Sequence, residues 1–422
     1  MNRSSKRVRG IIVAGGMAAC GVLALAFPAG AAPTTVGYRD FSYAGTTAPT
    51  ADKGQSKLWF HDSRWWGVLF RPTPSGGNFY IHRLDATTQS WVSTGVLVDP
   101  RSNVRPDALS HGSQLYVASS SPSPNAMLDR TIKFWRYSYD RVAKTYHVDP
   151  GFPATIGQGQ TEGVVIDRDS KGVVWATFVT NGKVKVTHTN GFDALWVKPY
   201  QLPVGTAATV KPEPEGDISA VVHYGGTKTG IMWSNQAVAD PNTQPMHFYF
   251  AVHVDGASDQ SWTLTTAASG IRVADDHIHL QALPPGDPAG SLLAAVKTSK
   301  TVSTDPLNEL LVLRAGTWKP YTFGTVGDGH TRPIVQLDAD NRQVYMFATS
   351  RCCTGGSILF KRTSLDAIAF PPGKGAPFIK SATDFHISDA SGTKQRLGHR
   401  TGVTVLAGDD QTDFYLHNYQ AL

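Results

Sequence analysis

Cysteine is nearly missing from this chain: three residues in 422. One of them, Cys20, falls within residues 1–31, which read as a cleavable leader. The other two are neighbours, Cys352 and Cys353, so a disulfide framework is excluded despite an oxidising destination. Adjacent cysteines can close only a strained ring, and a vicinal disulfide stiffening the loop "SRCCTGGS" is the expectation for this pair. Stability must therefore come from a large buried core, which residues 32–422 are long enough to supply as a single domain.

Long apolar runs are also missing after the leader. "MNRSSKRVRG" is a basic n-region, "IIVAGGMAACGVLALAF" an apolar h-region, and "PAGAAP" offers small residues for cleavage. A lipidated Cys20 in "MAAC" is the rival reading, but the apolar run continues past it to Phe27, which favours an ordinary secretory leader. No later stretch approaches the roughly 18 apolar residues of a membrane span. The expectation is an exported, extracellular protein without membrane insertion.

A charge excess of one sign is the third absence. The formal net charge of +6 includes Arg3, Lys6, Arg7 and Arg9 of the leader. Without them, 35 basic residues face 33 acidic ones, a net charge of +2. That balance gives no electrostatic case for a nucleic-acid partner.

Helical periodicity is almost absent too. In its place, short runs of Val, Ile, Tyr, Phe and Trp alternate with Gly, Pro, Ser and Asn turns, the pattern of an all-β chain. The runs repeat. Five units open with "RPDALSHGSQLYVAS" (105–119), "TEGVVIDRDSKGVVWATF" (161–178), "GDISAVVHYGGTKTGIMWSN" (216–235), "DDHIHLQALPPGDPAGSLLAAVKT" (275–298) and "GHTRPIVQLDADNRQVYMFAT" (329–349). "SKLWFHDSRWWGVLF" (56–70) adds a sixth at the front and "TKQRLGHRTGVTVLAG" (393–408) a seventh at the back. A hairpin such as "FYIHRLDATTQSWVST" or "FYFAVHVDGASDQSWTL" completes each unit.

Four strands per unit, repeated at roughly 50–55 residues, is the spacing of propeller blades. The reading is a seven-bladed β-propeller of four-stranded antiparallel blades. The last unit, ending "DFYLHNYQAL", is one strand short, and "VGYRDFSYAG" near the N-terminus supplies the strand that closes the ring and removes its free edges.

The hairpins "THTNGFDALW" and "VHVDGASDQSW" resemble Asp-box (BNR) hairpins, so the chain resembles the sialidase-like family of secreted β-propellers. The resemblance implies a carbohydrate-active propeller. It carries over no catalytic residue, because the pattern Ser-x-Asp-x-Gly-x-x-Trp is never matched in full. Nor do the family's three arginines and its Tyr/Glu pair appear. A second likeness, to BNR-type polysaccharide lyases, runs through "DGHTRP" (328–333).

In a propeller the innermost strands start at one face, so the residues ahead of them converge there. Lys57, Arg105, Asp107, Glu162, Asp217, Asp276, His277, His330, Arg332 and Lys394 are brought together by this rule, and such a mouth is the default site. The catalytic candidates are Glu162, Asp217, Asp276, His277 and His330. Arg105, Asp107, Arg332, Lys297, Trp66 and Trp233 are the candidates for holding substrate.

Three chemistries compete. Glycoside hydrolysis, the first choice, needs two carboxylates about 5–5.5 Å apart for retention or 6.5–9.5 Å for inversion. A lyase needs a cation for the uronate carboxylate and a base for the α-proton, with Arg105 or Arg332 and His277 or His330 in those parts. A lectin or scaffold needs only polar groups and aromatic faces. No cofactor is called for, and a calcium ion near the channel would be structural. Within "VADDHIHLQAL" (273–283), Asp276 and His277 point to the mouth, and His279 is expected between blades. The expected partner is an extracellular glycan, and the expected state a monomer.

Overall fold

A computed structural model describes residues 35–50, 53–74, 76–212, 216–350 and 356–422. The leader, with Cys20, and the Cys352-Cys353 pair lie outside the described residues. Seven separate antiparallel sheets follow one another along the chain. The regular helices among the described residues are two short 3-10 turns, Gly205–Ala208 and Val326–Asp328.

The innermost strands of blades 1 to 7 are Leu58–His61, Arg105–His111, Val164–Arg168, Ser219–Tyr224, Ile278–Ala282, His330–Asp338 and Ile387–Ser391. Each pairs with the next strand of its own hairpin, as in Ser219↔Trp233 through Tyr224↔Lys228 of blade 4. Blades 2 and 3 each carry one short extra strand.

The ring closes as the sequence predicts. Tyr38–Ser42 pairs with Phe414–Gln420 and becomes the outermost strand of blade 7. Arg39 reinforces this closure with an ion pair to Asp384 at 3.0 Å, and its guanidinium lies 3.3 Å from the Phe414 ring centroid. The register joins the two ends of the chain, so no blade is left with a three-stranded edge.

The core is a set of apolar seams between neighbouring blades. Trp66 and Trp233 have no exposed surface, and their indole nitrogens donate to the His61 and Ala207 carbonyls. Replacing Trp66 by alanine should destabilise the protein by about 3–5 kcal/mol, the usual cost of emptying such a site. A chemical denaturation curve with an unchanged midpoint would contradict this packing role.

One segment departs from the blade plan. Residues 53–57, ahead of the first inner strand, run across the central channel as a strap. Gly54 has φ +105°, and a Cβ there would meet the Ile278 carbonyl, Ala220 and Val165 at 3.1–3.2 Å. Those three neighbours belong to blades 5, 4 and 3, so only a residue without a side chain passes between them. Gly54→Val should therefore displace the strap and lower the melting temperature; an unchanged melting temperature would sink this reading of Gly54.

Candidate functional site

The strap sets up the front face. Ser56 donates its amide to Asp107 at 2.8 Å and accepts the Ala108 amide at 2.7 Å, which fastens it to blade 2. Gln55, fully buried, accepts the Lys53 amide at 2.7 Å. These contacts deliver the Lys53 ammonium to a point between two carboxylates, Glu162 of blade 3 at 3.0 Å and Asp276 of blade 5 at shorter range.

Four more groups complete the cluster. Arg105, at the start of blade 2, donates to the Glu162 carbonyl at 3.2 Å. His277 Nδ1 lies 2.8 Å from carboxylate oxygens of both Asp275 and Asp276. Lys297, from the second strand of blade 5, donates to Asp275 at 2.6 Å. The seven side chains keep between 7% and 23% exposure, so they are screened from bulk water yet open at one side.

Electrostatics inside the cluster are strongly coupled. Burial alone would raise the Asp276 carboxyl, but His277 and Lys53 reverse this and hold it far below the usual carboxylate range. Burial likewise works against the Lys53 ammonium, and Asp276 with Glu162 overcomes it, raising that group above its ordinary value. Asp276 and Lys53 thus keep their charges at neutral pH. Two acceptor oxygens at His277 Nδ1 require a proton on that nitrogen, so Nε2 is the ring atom left to exchange a proton. Nε2 is shielded and has no hydrogen-bond partner among the described residues.

Asp275, Asp276 and His277 offer donor atoms within 4.8 Å of one another, a spacing compatible with a metal ion. The Lys53 and Lys297 ammoniums already supply the countercharge for the two carboxylates, so the donors form an ion-pair network and no metal is assigned.

Glu162, Asp276, His277, Arg105 and Lys297 are therefore brought together, and the other candidates go elsewhere. Asp217 is fully buried and accepts the Lys211 amide at 2.7 Å together with the Gln236 amide and side chain, so its carboxylate holds loops rather than substrate. Burial, its largest influence, raises this carboxyl above the usual range. His330 is also buried, against Phe323, with Nε2 2.8 Å from the Lys374 carbonyl. Its side chain turns into an inter-blade seam.

Asp107 lies inside the channel, where it accepts from Ser56, Ile166 and Lys394 and has no exposed surface for a substrate. Trp66 and Trp233 offer no face to a sugar, because both rings are inside the core. Arg332 stands apart from the cluster, with φ +54° and an ion pair to Asp389, itself at φ +56°. Arg332 lines a hollow of about 190 Å³ beside blades 6 and 7. His279 takes the inter-blade place expected of it: it is buried, receives the Val335 amide at 3.4 Å, and is lowered to about 3 by burial and by Lys394.

Lys53 is the residue that position-counting overlooks. The rule of taking the residue ahead of each inner strand selects Lys57, which is buried and donates to the Pro106 carbonyl at 2.6 Å. The strap moves the cation that meets the cluster four residues earlier, to Lys53. The signal was the glycine in "ADKGQSKLWF", which marks a close backbone passage.

No family model matches the sequence, and no curated protein does. Solved structures do. An ulvan lyase of polysaccharide lyase family PL25 superposes with a TM-score of 0.55 at 11% identity, over 90% of this chain and 96% of that one. The same kind of enzyme bound to -[GlcA(1-4)Rha3S]- gives 0.52 at 10% identity over the same shares. A Penicillium chrysogenum α-L-arabinanase complexed with arabinobiose gives 0.45 at 13% identity, over 80% of this chain and all of that one. At such identities the likeness shows the fold: this chain is a seven-bladed β-propeller of four-stranded antiparallel blades.

Proposed function

We propose that the chain is a secreted, carbohydrate-active propeller that cleaves an acidic, uronate-bearing polysaccharide at its front face. One observation carries the reading: Lys53, Arg105 and Lys297 converge with an Asp-oriented histidine on one partly open patch. Cations at that density suit a sugar carboxylate, which would compete with Glu162, Asp275 and Asp276 for them.

Elimination is the chemistry this geometry favours. Substrate entry has to uncover His277 Nε2, which then takes the proton from the carbon next to the uronate carboxylate, whose developing charge is held by Arg105 and Lys297. The C–O bond to the neighbouring sugar then breaks, a C=C bond forms, and the leaving oxygen takes a proton from the Lys53 ammonium. Asp275 and Asp276 hold the ring in the tautomer that leaves Nε2 basic. The uronate and sulfated rhamnose in the bound lyase structure belong to that protein, and the reading here rests on the side chains.

Hydrolysis is the second reading, supported by the meeting of Glu162 and Asp276 on one ammonium. Retaining hydrolases place their carboxylates about 5–5.5 Å apart. Here Lys53 fills the gap, and Asp276 is held strongly ionised, whereas a proton donor to the leaving group needs a raised carboxyl. The Asp-box-like hairpins fit either reading. In these, Trp196 and Trp262 donate to the carbonyls of Asp193 and Asp259, three residues back.

The products separate the two. Elimination gives an unsaturated uronate that absorbs in the ultraviolet, one per bond cleaved. Hydrolysis gives new reducing ends without that absorbance. Neither product from a panel of acidic polysaccharides would leave binding as the function.

A further inference from the structure

One hollow of the protein lies away from the front face. A pocket of about 470 Å³ opens on the opposite face, at the seam where blade 7 meets blade 1. From its residues we infer that this seam is a second saccharide site, which holds a sugar bearing a sulfate or carboxylate group. The ligand class rests on the reading of the chain as acting on acidic polysaccharides; the site itself rests on its own side chains.

Three guanidiniums line the pocket, those of Arg64, Arg83 and Arg400. The turns that carry them are built by the sequence. Asp62 and Ser63, at φ +48° and +57°, make the tight reversal after the first inner strand and place Arg64 at the head of the next. Arg400 stands at the tip of the turn closed by Thr401 and Gly402 amides on the Gly398 carbonyl. Arg83 is near the end of the third strand of blade 1.

None of the three makes an ion pair or a side-chain hydrogen bond among the described residues, in a protein whose other channel and seam cations are mostly paired. The one carboxylate lining the pocket, Asp85, is engaged with its own turn, accepting the Thr87 and Thr88 amides at 2.9 and 3.0 Å. The lining therefore sets three guanidiniums against one carboxylate, a net positive charge.

Its walls supply the rest of a sugar site. The Phe60 ring packs edge-on to Trp65, at 5.6 Å and 69°, and Tyr419 is 38% exposed at the rim. Apolar ring surface with a few fixed charged donors is the make-up of a small-ligand pocket, and the volume is in the usual range. Guanidinium forks match the planar or tetrahedral oxygens of carboxylate and sulfate. A site on the back face lets the protein hold a long polyanion while its front face works on another stretch, which raises the local substrate concentration.

The test uses the mature protein with His277→Ala, so that no probe is cut during titration. Dextran sulfate, polygalacturonate and neutral dextran are titrated by calorimetry into this protein and into the same protein carrying Arg64→Ala, Arg83→Ala and Arg400→Ala. One or both polyanions should bind, and the triple change should weaken that binding by at least about tenfold, as expected for losing charge-assisted hydrogen bonds. Preference between the two assigns sulfate or carboxylate. Dextran binding as tightly as either, or equal affinity with and without the arginines, overturns the site.

Arg400→Glu alone, at an exposed turn tip, serves if the triple variant loses its circular dichroism; it too must weaken binding. Arginine-dependent binding in a protein that cleaves nothing would remove the front-face reading alone. Cleavage accompanied by arginine-independent binding would remove this inference alone.

Discussion

Replacing His277 by alanine is expected to lower turnover of a uronate-bearing polysaccharide by roughly 10²–10⁴-fold, the usual contribution of a positioned base. Substrate binding should be almost unchanged, because the cations proposed to hold the sugar, Lys53, Arg105 and Lys297, stay in place. The reasoning starts from the hydrogen-bond geometry. With both Asp275 and Asp276 at Nδ1, the imidazole is held in one orientation and Nε2 is its proton-exchanging atom. Arg105→Ala should behave differently, raising KM as well as lowering kcat, since the guanidinium holds the carboxylate in the substrate and the charge that develops on it in the transition state. Steady-state kinetics on a single oligosaccharide length would measure both. A His277→Ala protein with undiminished kcat would rule out the elimination reading.

The second large effect is on stability. Lys394 reaches across the channel from blade 7 to Asp107 of blade 2 and the Ile166 carbonyl of blade 3. Asp107 has no exposed surface and also holds the Ser56 and Ile166 amides. One ion pair thus ties the strap and three blades at the axis. Lys394→Met keeps the length of the side chain and removes its charge, so a buried carboxylate is left without its cation. Removing one partner of such a pair costs about 3–5 kcal/mol, a large part of a typical total of roughly 5–15 kcal/mol.

The pH dependence gives this prediction its sign. Burial raises the Asp107 carboxyl above its unfolded value even with Lys394 beside it. Between the two values the folded state binds more protons than the unfolded one, so this group's contribution to stability falls as pH rises. Without Lys394 the shift should grow. The deficit of Lys394→Met should therefore be largest at neutral pH and shrink as pH falls toward the ordinary carboxylate range. A deficit that is independent of pH would mean that the lost methylene packing, not the charge, was the cause.

Much of this arrangement was legible in the sequence. Alternating β-branched and aromatic runs at even spacing specify the blades, and the missing strand after "DFYLHNYQAL" specifies the closure by Tyr38–Ser42. Glu162, Asp276 and His277 were also readable, because each stands within two residues of an inner strand's start.

The misassignments share a physical origin. A position ahead of a strand fixes the height of a side chain on the ring but not its direction. Asp217 and His330 stand at the correct height and turn into loops or seams, where backbone amides and carbonyls claim them. Trp66 and Trp233 are sugar-platform candidates by residue type, but a large ring gains more from burial between blades than from one-sided stacking. Lys53 escaped notice because nothing in strand periodicity describes a strap that crosses the axis. The pairing of Arg64 and Arg83 with Arg400, more than 300 residues away, is set by ring closure alone.

The most direct measurement is a crystal structure of the His277→Ala protein with a uronate-bearing oligosaccharide. The account predicts a sugar carboxylate within hydrogen-bond distance of Arg105 and Lys297, with the α-carbon facing the space left by the imidazole. A saccharide bound only elsewhere on the ring, with the Lys53–Glu162–Asp276 network undisturbed, would contradict it.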